Sequence, residues 1–180
     1  MKKIFILKSA ILLVFLISFG FFAKAQVFIE NPLKKDSTAI TSGDNKNIFL
    51  EIGGPGLAFS LNFDARFGQY GNGWGYRIGG GYFARGGNSV VTVPFQFNYL
   101  FGTGSNLFEI GEGATFLNSK GSTHDSFFQF DNITGFIGTA TIGYRYQPKH
   151  AGINFRIAFV PIFYDEGIIP IGGISVGYTF

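Results

Sequence analysis

From Ile48 to Phe180 the chain alternates, and the alternation limits what it can fold into. In LAFSLNFDARF (57–67), Leu57, Phe59, Leu61, Phe63, Ala65 and Phe67 share one parity, and Ala58, Ser60, Asn62, Asp64 and Arg66 share the other. A β-strand turns successive side chains to opposite faces, so a period of two predicts strands with one apolar and one polar face. WGYRIGGGYFAR (74–85) sets Trp74, Tyr76, Ile78 and Tyr82 against Arg77, Gly79, Gly81 and Arg85. SVVTVPFQFNYLF (89–101) sets Val91, Val93, Phe95, Phe97, Tyr99 and Phe101 against Thr92, Gln96 and Asn98. GINFRIAFVPIF (152–163) sets Ile153, Phe155, Ile157 and Phe159 against Asn154 and Arg156. In GGISVGYTF the pattern runs through Ile174, Val176, Tyr178 and Phe180, with Ser175, Gly177 and Thr179 between them. No stretch after Ile48 keeps a helical period for long.

Turn signals separate the runs: GGPG (53–56), GQYGNG (68–73), RGGN (85–88), GTGSN (102–106) and QPKHAG (147–152). Longer connections are predicted at 118–133 and 164–170. Eight strands follow, at 47–53, 57–67, 74–85, 89–101, 106–117, 134–147, 152–163 and 171–180, an all-β antiparallel up-and-down arrangement.

Residues 1–25 form a different segment. Lys2 and Lys3 start it, an almost wholly apolar run follows from Ala10 to Phe22, and Ala23-Lys24-Ala25 is a small-x-small cleavage site. This is the pattern of a secretory signal peptide cleaved before Gln26. Residues 26–47, including ENPLKKDSTAITSGDNKN, are polar and aperiodic and read as a linker. Residues 48–180 are left as the single folded domain. Lys2, Lys3, Lys8 and Lys24 all lie in the signal; without them the 14 basic residues fall to 10 against 11 acidic, a net charge of −1. The basic balance of the whole chain therefore gives no basis for nucleic-acid binding. With no cysteine, disulfides and thiolate chemistry are excluded.

The apolar face could line a soluble sandwich or lipocalin-like barrel, or coat the outside of a membrane barrel. Bulk decides between them. Phe, Tyr, Trp and Ile at every second position of eight strands would overfill the interior of an eight-stranded barrel. Gly, Ser, Thr, Asn and a few long Arg would fit it. The aromatic face is therefore expected to point outward against lipid, and the run lengths suit tilted membrane strands of about 9–11 residues. Phe67, Tyr70, Trp74, Tyr99, Phe101, Tyr144 and Tyr146 fall at the ends of runs, where interfacial girdles sit. With both chain termini periplasmic, the connections at 68–73, 102–105 and 148–151 become short periplasmic turns, and the longer connections lie outside.

The alternating strands, the signal peptide and the terminal VGYTF resemble the small eight-stranded outer membrane β-barrel proteins of Gram-negative bacteria, of OmpA/OmpX-like architecture. The resemblance covers 48–180 and implies location in the outer membrane. It also implies contact with membrane lipid and recognition of Tyr178 and Phe180 by the barrel-assembly machinery. It implies no particular activity, because that family includes adhesion-linked, structural, pore-like and enzymatic members.

The inward parity collects Asp64, Arg66, Arg77, Glu109, Arg145 and Arg156. Opposite charges in a narrow barrel should pair, with Gln96, Asn98 and Asn154 satisfying the remainder, to make a salt-bridged plug. The competing readings are a narrow porin-like constriction for small solutes or ions and a small polar binding site. Glu112 falls on the outward parity between Ile110 and Ala114, where a carboxylate is costly, and a bulge turning it inward is expected. Pro94 and Pro161 each remove a ladder donor and predict local irregularity.

For catalysis, a lipid hydrolase or acyltransferase would need a Ser and a His converging near the outer surface. His150 lies in a periplasmic turn, and His124 lies in an outer loop beside Ser122, Asp125 and Ser126, a composition typical of a solvated loop. No catalytic residue, cofactor or metal site is assigned. His124, Phe127, Phe128 and Phe130 make that loop a candidate contact surface for an extracellular protein or surface ligand. Replacing Phe180 with a charged residue is expected to lower the fraction of chains inserted, measured as heat-modifiable protein in the membrane. The unfolding midpoint of barrels already formed should change much less.

Overall fold

A computed structural model describes residues 45–68, 71–85, 88–120, 134–165 and 167–180. Eight antiparallel strands form a closed barrel: β1 (Lys46–Gly53), β2 (Phe59–Arg66), β3 (Gly73–Arg85), β4 (Asn88–Phe101), β5 (Asn106–Lys120), β6 (Thr134–Tyr146), β7 (Gly152–Tyr164) and β8 (Gly167–Thr179). Each strand pairs with the next in sequence, and β1 pairs with β8 from Asn47↔Thr179 to Gly53↔Gly173. Beyond the last of these pairs Phe180 exchanges backbone bonds with Lys46, N to O at 2.9 and 3.1 Å. Closure thus leaves no free sheet edge, which every open sheet must otherwise protect.

The parity of the sequence becomes the two faces of the wall. Leu50, Ile52, Phe59, Leu61, Ile153, Phe159, Ile174 and Val176 are exposed on the outside, while Glu51, Asn62, Asp64, Arg77, Gln96, Glu109 and Arg156 are buried inside. The barrel is inverted relative to a soluble protein, in which large apolar side chains cluster inside.

β1 and β2 have eight residues each, against 13 to 15 in the others, because the connection between them folds into the barrel. Gly54–Gly56 forms one 3-10 turn that packs against β1 and β3–β8. Its carbonyls are satisfied inside: Thr115 Oγ1 donates to Pro55 O at 2.7 Å and Thr92 Oγ1 to Gly56 O at 3.0 Å. Gly53 enters the turn at φ 72, and a Cβ there would collide with Gly172 O. Leu57 leaves it at φ 72, a conformation costly for a residue with a side chain. Burial against Leu117, Ile137 and Ile162 offsets that cost. The expectation that Leu57 begins a strand on the face of Phe59 is corrected here. The left-handed backbone at Leu57 breaks the parity and turns its side chain inward.

Three further features differ from, or refine, the sequence reading. The predicted connection at 164–170 is mostly strand, since β8 starts at Gly167 and Pro170 lies opposite Pro161. Two prolines at one register position lose ladder donors without ending the pairing. β3–β4 pairing lapses beside Pro94 between Ile78↔Phe95 and Gly81↔Thr92. β6–β7 pairing lapses beside Pro161 between Thr139↔Ile162 and Ile142↔Phe159. The expected bulge at Glu112 is absent: Phe97↔Glu112 and Glu112↔Ala140 lie in unbroken registers, so Glu112 stays on the outward face.

Inside the wall, Phe49 is opposite Gly177, and a Cβ at Gly177 would lie 2.3 Å from Phe49 Cβ and 2.2 Å from Ile48 O. Gly80, on the outward face, has open space around it. Gly177→Ala is expected to destabilise the barrel by about 1–3 kcal/mol through overpacking. Gly80→Ala should be neutral or slightly stabilising. Urea titration of the two variants in micelles checks the contrast.

Candidate functional site

Every strand except β4 and β8 delivers a charged side chain to the interior, and parity alone selects them. Arg66 and Asp64 come from β2, Arg145 from β6, Glu109 from β5, Arg156 from β7, Glu51 from β1 and Arg77 from β3; none is more than 4% exposed. In that order they form a ladder of alternating sign. Arg66 Nη2 donates to Asp64 at 2.5 Å, and Arg145 binds Asp64 and Glu109 at 3.0 Å each. Arg156 Nη1 donates to Glu109 at 2.9 Å, and its Nη2 donates to Glu51, which also accepts from Arg77. Each of the three carboxylates bridges two guanidiniums, a geometry that satisfies most lone pairs of groups removed from water. Four arginines against three acids leave this group at +1.

Neutral side chains complete the ladder. Asn98 of β4 donates to Asp64 at 2.8 Å and Glu109 at 3.1 Å, and accepts from Arg66 at 2.6 Å. Asn62 accepts from Arg77 Nε and Nη2 at 3.1 and 2.9 Å. Asn154 and Gln96, expected to serve the charges, bond elsewhere. Asn154 donates to Asn47 and Thr179, and Gln96 bonds Thr139 and Thr141. The Phe49 ring lies 5.0 Å from the Arg77 guanidinium, 5.4 Å from that of Arg156 and 6.0 Å from that of Arg145. Its π face offers these cations partial electrostatic compensation.

The ladder has a floor and a roof. Asn47, Gln147, Asn154 and Thr179 form a neutral hydrogen-bonded layer at the end of the barrel that carries Lys46 and Phe180. At the other end Gly54 sits against the Glu51 carboxylate, and beyond it lies the apolar cluster of Leu57, Leu117, Ile137 and Ile162. Charges are thus sandwiched between a polar layer and a dry one.

Sequence reasoning missed Glu51. Its parity matches Asn47 and opposes Ile48, Leu50 and Ile52, so the signal was present. Phe49 on the same parity obscured it, because a bulky ring on the inner face contradicts the sorting by size.

Phe67, Trp74, Tyr99, Phe101, Tyr144 and Tyr146 lie at the end of the barrel that carries Lys46 and Phe180 and touch one another or neighbouring rings. Trp74–Tyr99 is edge-on at 5.1 Å, Tyr99–Phe101 is at 4.5 Å, and Phe155 contacts Tyr144 and Tyr146 at 5.6 and 5.9 Å. Phe67 stacks on Tyr76 at 5.9 Å. Tyr178 is exposed and pairs with Ile48 and Ile153. Tyr70, His124, Phe127, Phe128 and Phe130 lie outside the described residues. Among the described residues no group of three or more potential ligands could hold a metal ion.

An apolar exterior around a buried ionic interior defines a transmembrane-type β-barrel fold. The chain is similar to the crystal structure of the N-terminal β-barrel domain of Pseudomonas aeruginosa OprF, with a TM-score of 0.56 and 12% identity. The match covers 78% of this chain and all of that domain. The sequence matches no protein-family model and no curated protein.

Glu109→Gln strands two guanidiniums on one carboxylate each, and is expected to cost about 3 kcal/mol or more. Arg66→Gln, at a ladder end, removes the surplus positive charge and should cost less. Equilibrium unfolding in micelles ranks the two.

Proposed function

We propose that this chain is an integral outer membrane protein, with a closed lumen and a structural or surface-interaction role without catalysis. One observation carries the reading: large apolar side chains are exposed on all eight strands, while each acid of the interior is paired with two arginines. In water that arrangement exposes a continuous apolar surface, which soluble proteins avoid. In a bilayer it is the expected one. Likeness to the OprF barrel domain supports the same reading at the level of fold.

In this orientation the end with Lys46 and Phe180 faces the periplasm, and its ring-rich belt forms the interfacial girdle. Residues 121–133 join β5 to β6 on the outer side, where His124, Phe127, Phe128 and Phe130 would meet an extracellular protein or surface ligand. The three lumen carboxylates are each held by two arginines. That commitment suits packing and leaves none positioned as a general base. The 3-10 turn and the apolar cluster beyond it close the outer half.

The expected behaviour is extraction only with detergent, a heat-modifiable gel band, and no steady unitary conductance in planar bilayers. Conductance that persists in the purified barrel would replace the closed reading with a narrow channel for ions or small solutes. Purification as a monomer without detergent would refute the membrane location.

A further inference from the structure

Glu112 breaks the rule that the rest of the outer wall obeys. Among the described residues, the outward positions between the strand ends carry no other acidic or basic side chain. On β5 the outward series is Asn106, Phe108, Ile110, Glu112, Ala114, Phe116 and Asn118, which puts Glu112 six residues from each polar flank. At about 3.3 Å per residue and a tilt near 40°, that is about 15 Å from either flank. A glutamate stem cannot span such a distance to reach water. The unbroken registers with Phe97 and Ala140 also exclude a turn into the lumen.

The surroundings are equally unlike the rest of the wall. Ala140 is directly opposite Glu112 on β6, and Ala114 is opposite Gly138. These three small residues and Glu112 form a shallow patch flanked by Phe95 and Phe97 of β4 and by Phe116 and Phe136, with Phe163 leaning over Gly138. Small side chains let two membrane-embedded walls approach closely, and an ionisable group at membrane depth calls for a polar partner.

We propose that this patch is the contact face for a second copy of the chain, with the two Glu112 carboxyl groups hydrogen-bonded across a twofold axis. The inference rests on the outer membrane reading above. Copies inserted in the same direction are related by rotation about the membrane normal, which preserves depth. A residue near that axis meets itself, as isologous interfaces require. A second copy is therefore a partner certain to present a hydrogen-bonding group at the depth of Glu112. Each carboxyl group then supplies the other with the polar partner that hydrocarbon withholds. Ala114 and Ala140 beside the pair allow the walls to close around it.

The chain contains no cysteine, so single thiols report contacts without background. Ala140→Cys and, on the far wall, Leu50→Cys are each reconstituted as the full mature protein in phosphatidylethanolamine–phosphatidylglycerol vesicles and treated with a short thiol-to-thiol cross-linker. Ala140→Cys should give a dimer band at least fivefold stronger than Leu50→Cys. Adding Glu112→Leu to Ala140→Cys should remove that band, and adding Glu112→Gln, whose amide still hydrogen-bonds, should keep it. Equal cross-linking at the two positions, or a band that survives Glu112→Leu, overturns the proposal. The same result in native membranes with an adduct to a different protein overturns it in favour of a heterologous partner. Heat-modifiable mobility and retention in the vesicle fraction are read on every sample. A folded, vesicle-bound monomer defeats only the pairing, whereas a protein left in the supernatant defeats the membrane reading beneath it.

Discussion

Eight strands leave room inside for little more than one layer of side chains, and here that room holds charges that must pair with one another. The ladder from Arg66 to Arg77 crosses β2, β6, β5, β7, β1 and β3, joining strands far apart in sequence. Asn98 adds β4, and the layer of Asn47, Asn154 and Thr179 adds β8. No strand can leave without orphaning a buried polar group, and an uncompensated buried charge is among the costliest defects a fold can carry. Closure of the wall and pairing in the lumen are therefore one requirement met twice. The backbone ladder brings the charges together, and the charges specify which strands must be present.

Much of this was legible because a period of two is hard to disguise. Side chains such as Arg77 and Glu109 could be assigned to the lumen from parity alone, since a one-residue slip would move every ring of their strands to the wrong face. The exceptions have physical causes. Phe49 is inside because its ring lies against three guanidiniums and Gly177 leaves space opposite it; neither condition is visible in a local window. Leu57 changes face because of a left-handed backbone, which propensity would never assign to leucine. The connection expected at 164–170 is strand from Gly167 onward, because Pro170 keeps its register opposite Pro161 and the pairing runs on. At Glu112 an energetic argument overrode parity and failed: the carboxylate's cost was real, but the ladder on both sides held its register.

The two ends of the lumen are built differently. Toward Lys46 and Phe180 the closing layer is amide and hydroxyl, compatible with water entering from that side. Toward the opposite end the inward turn and the leucine–isoleucine cluster are dry.

The central claim is that the apolar face meets acyl chains while the opposite face is sealed within. Methyl-labelled isoleucine in micelles tests both halves in one spectrum. Intermolecular Overhauser contacts from detergent acyl protons should reach Ile48, Ile52, Ile153, Ile157 and Ile174 and be missing at Ile137 and Ile162. Contacts at Ile137 and Ile162 with none at Ile52 and Ile174 would show that the wall has been read inside out.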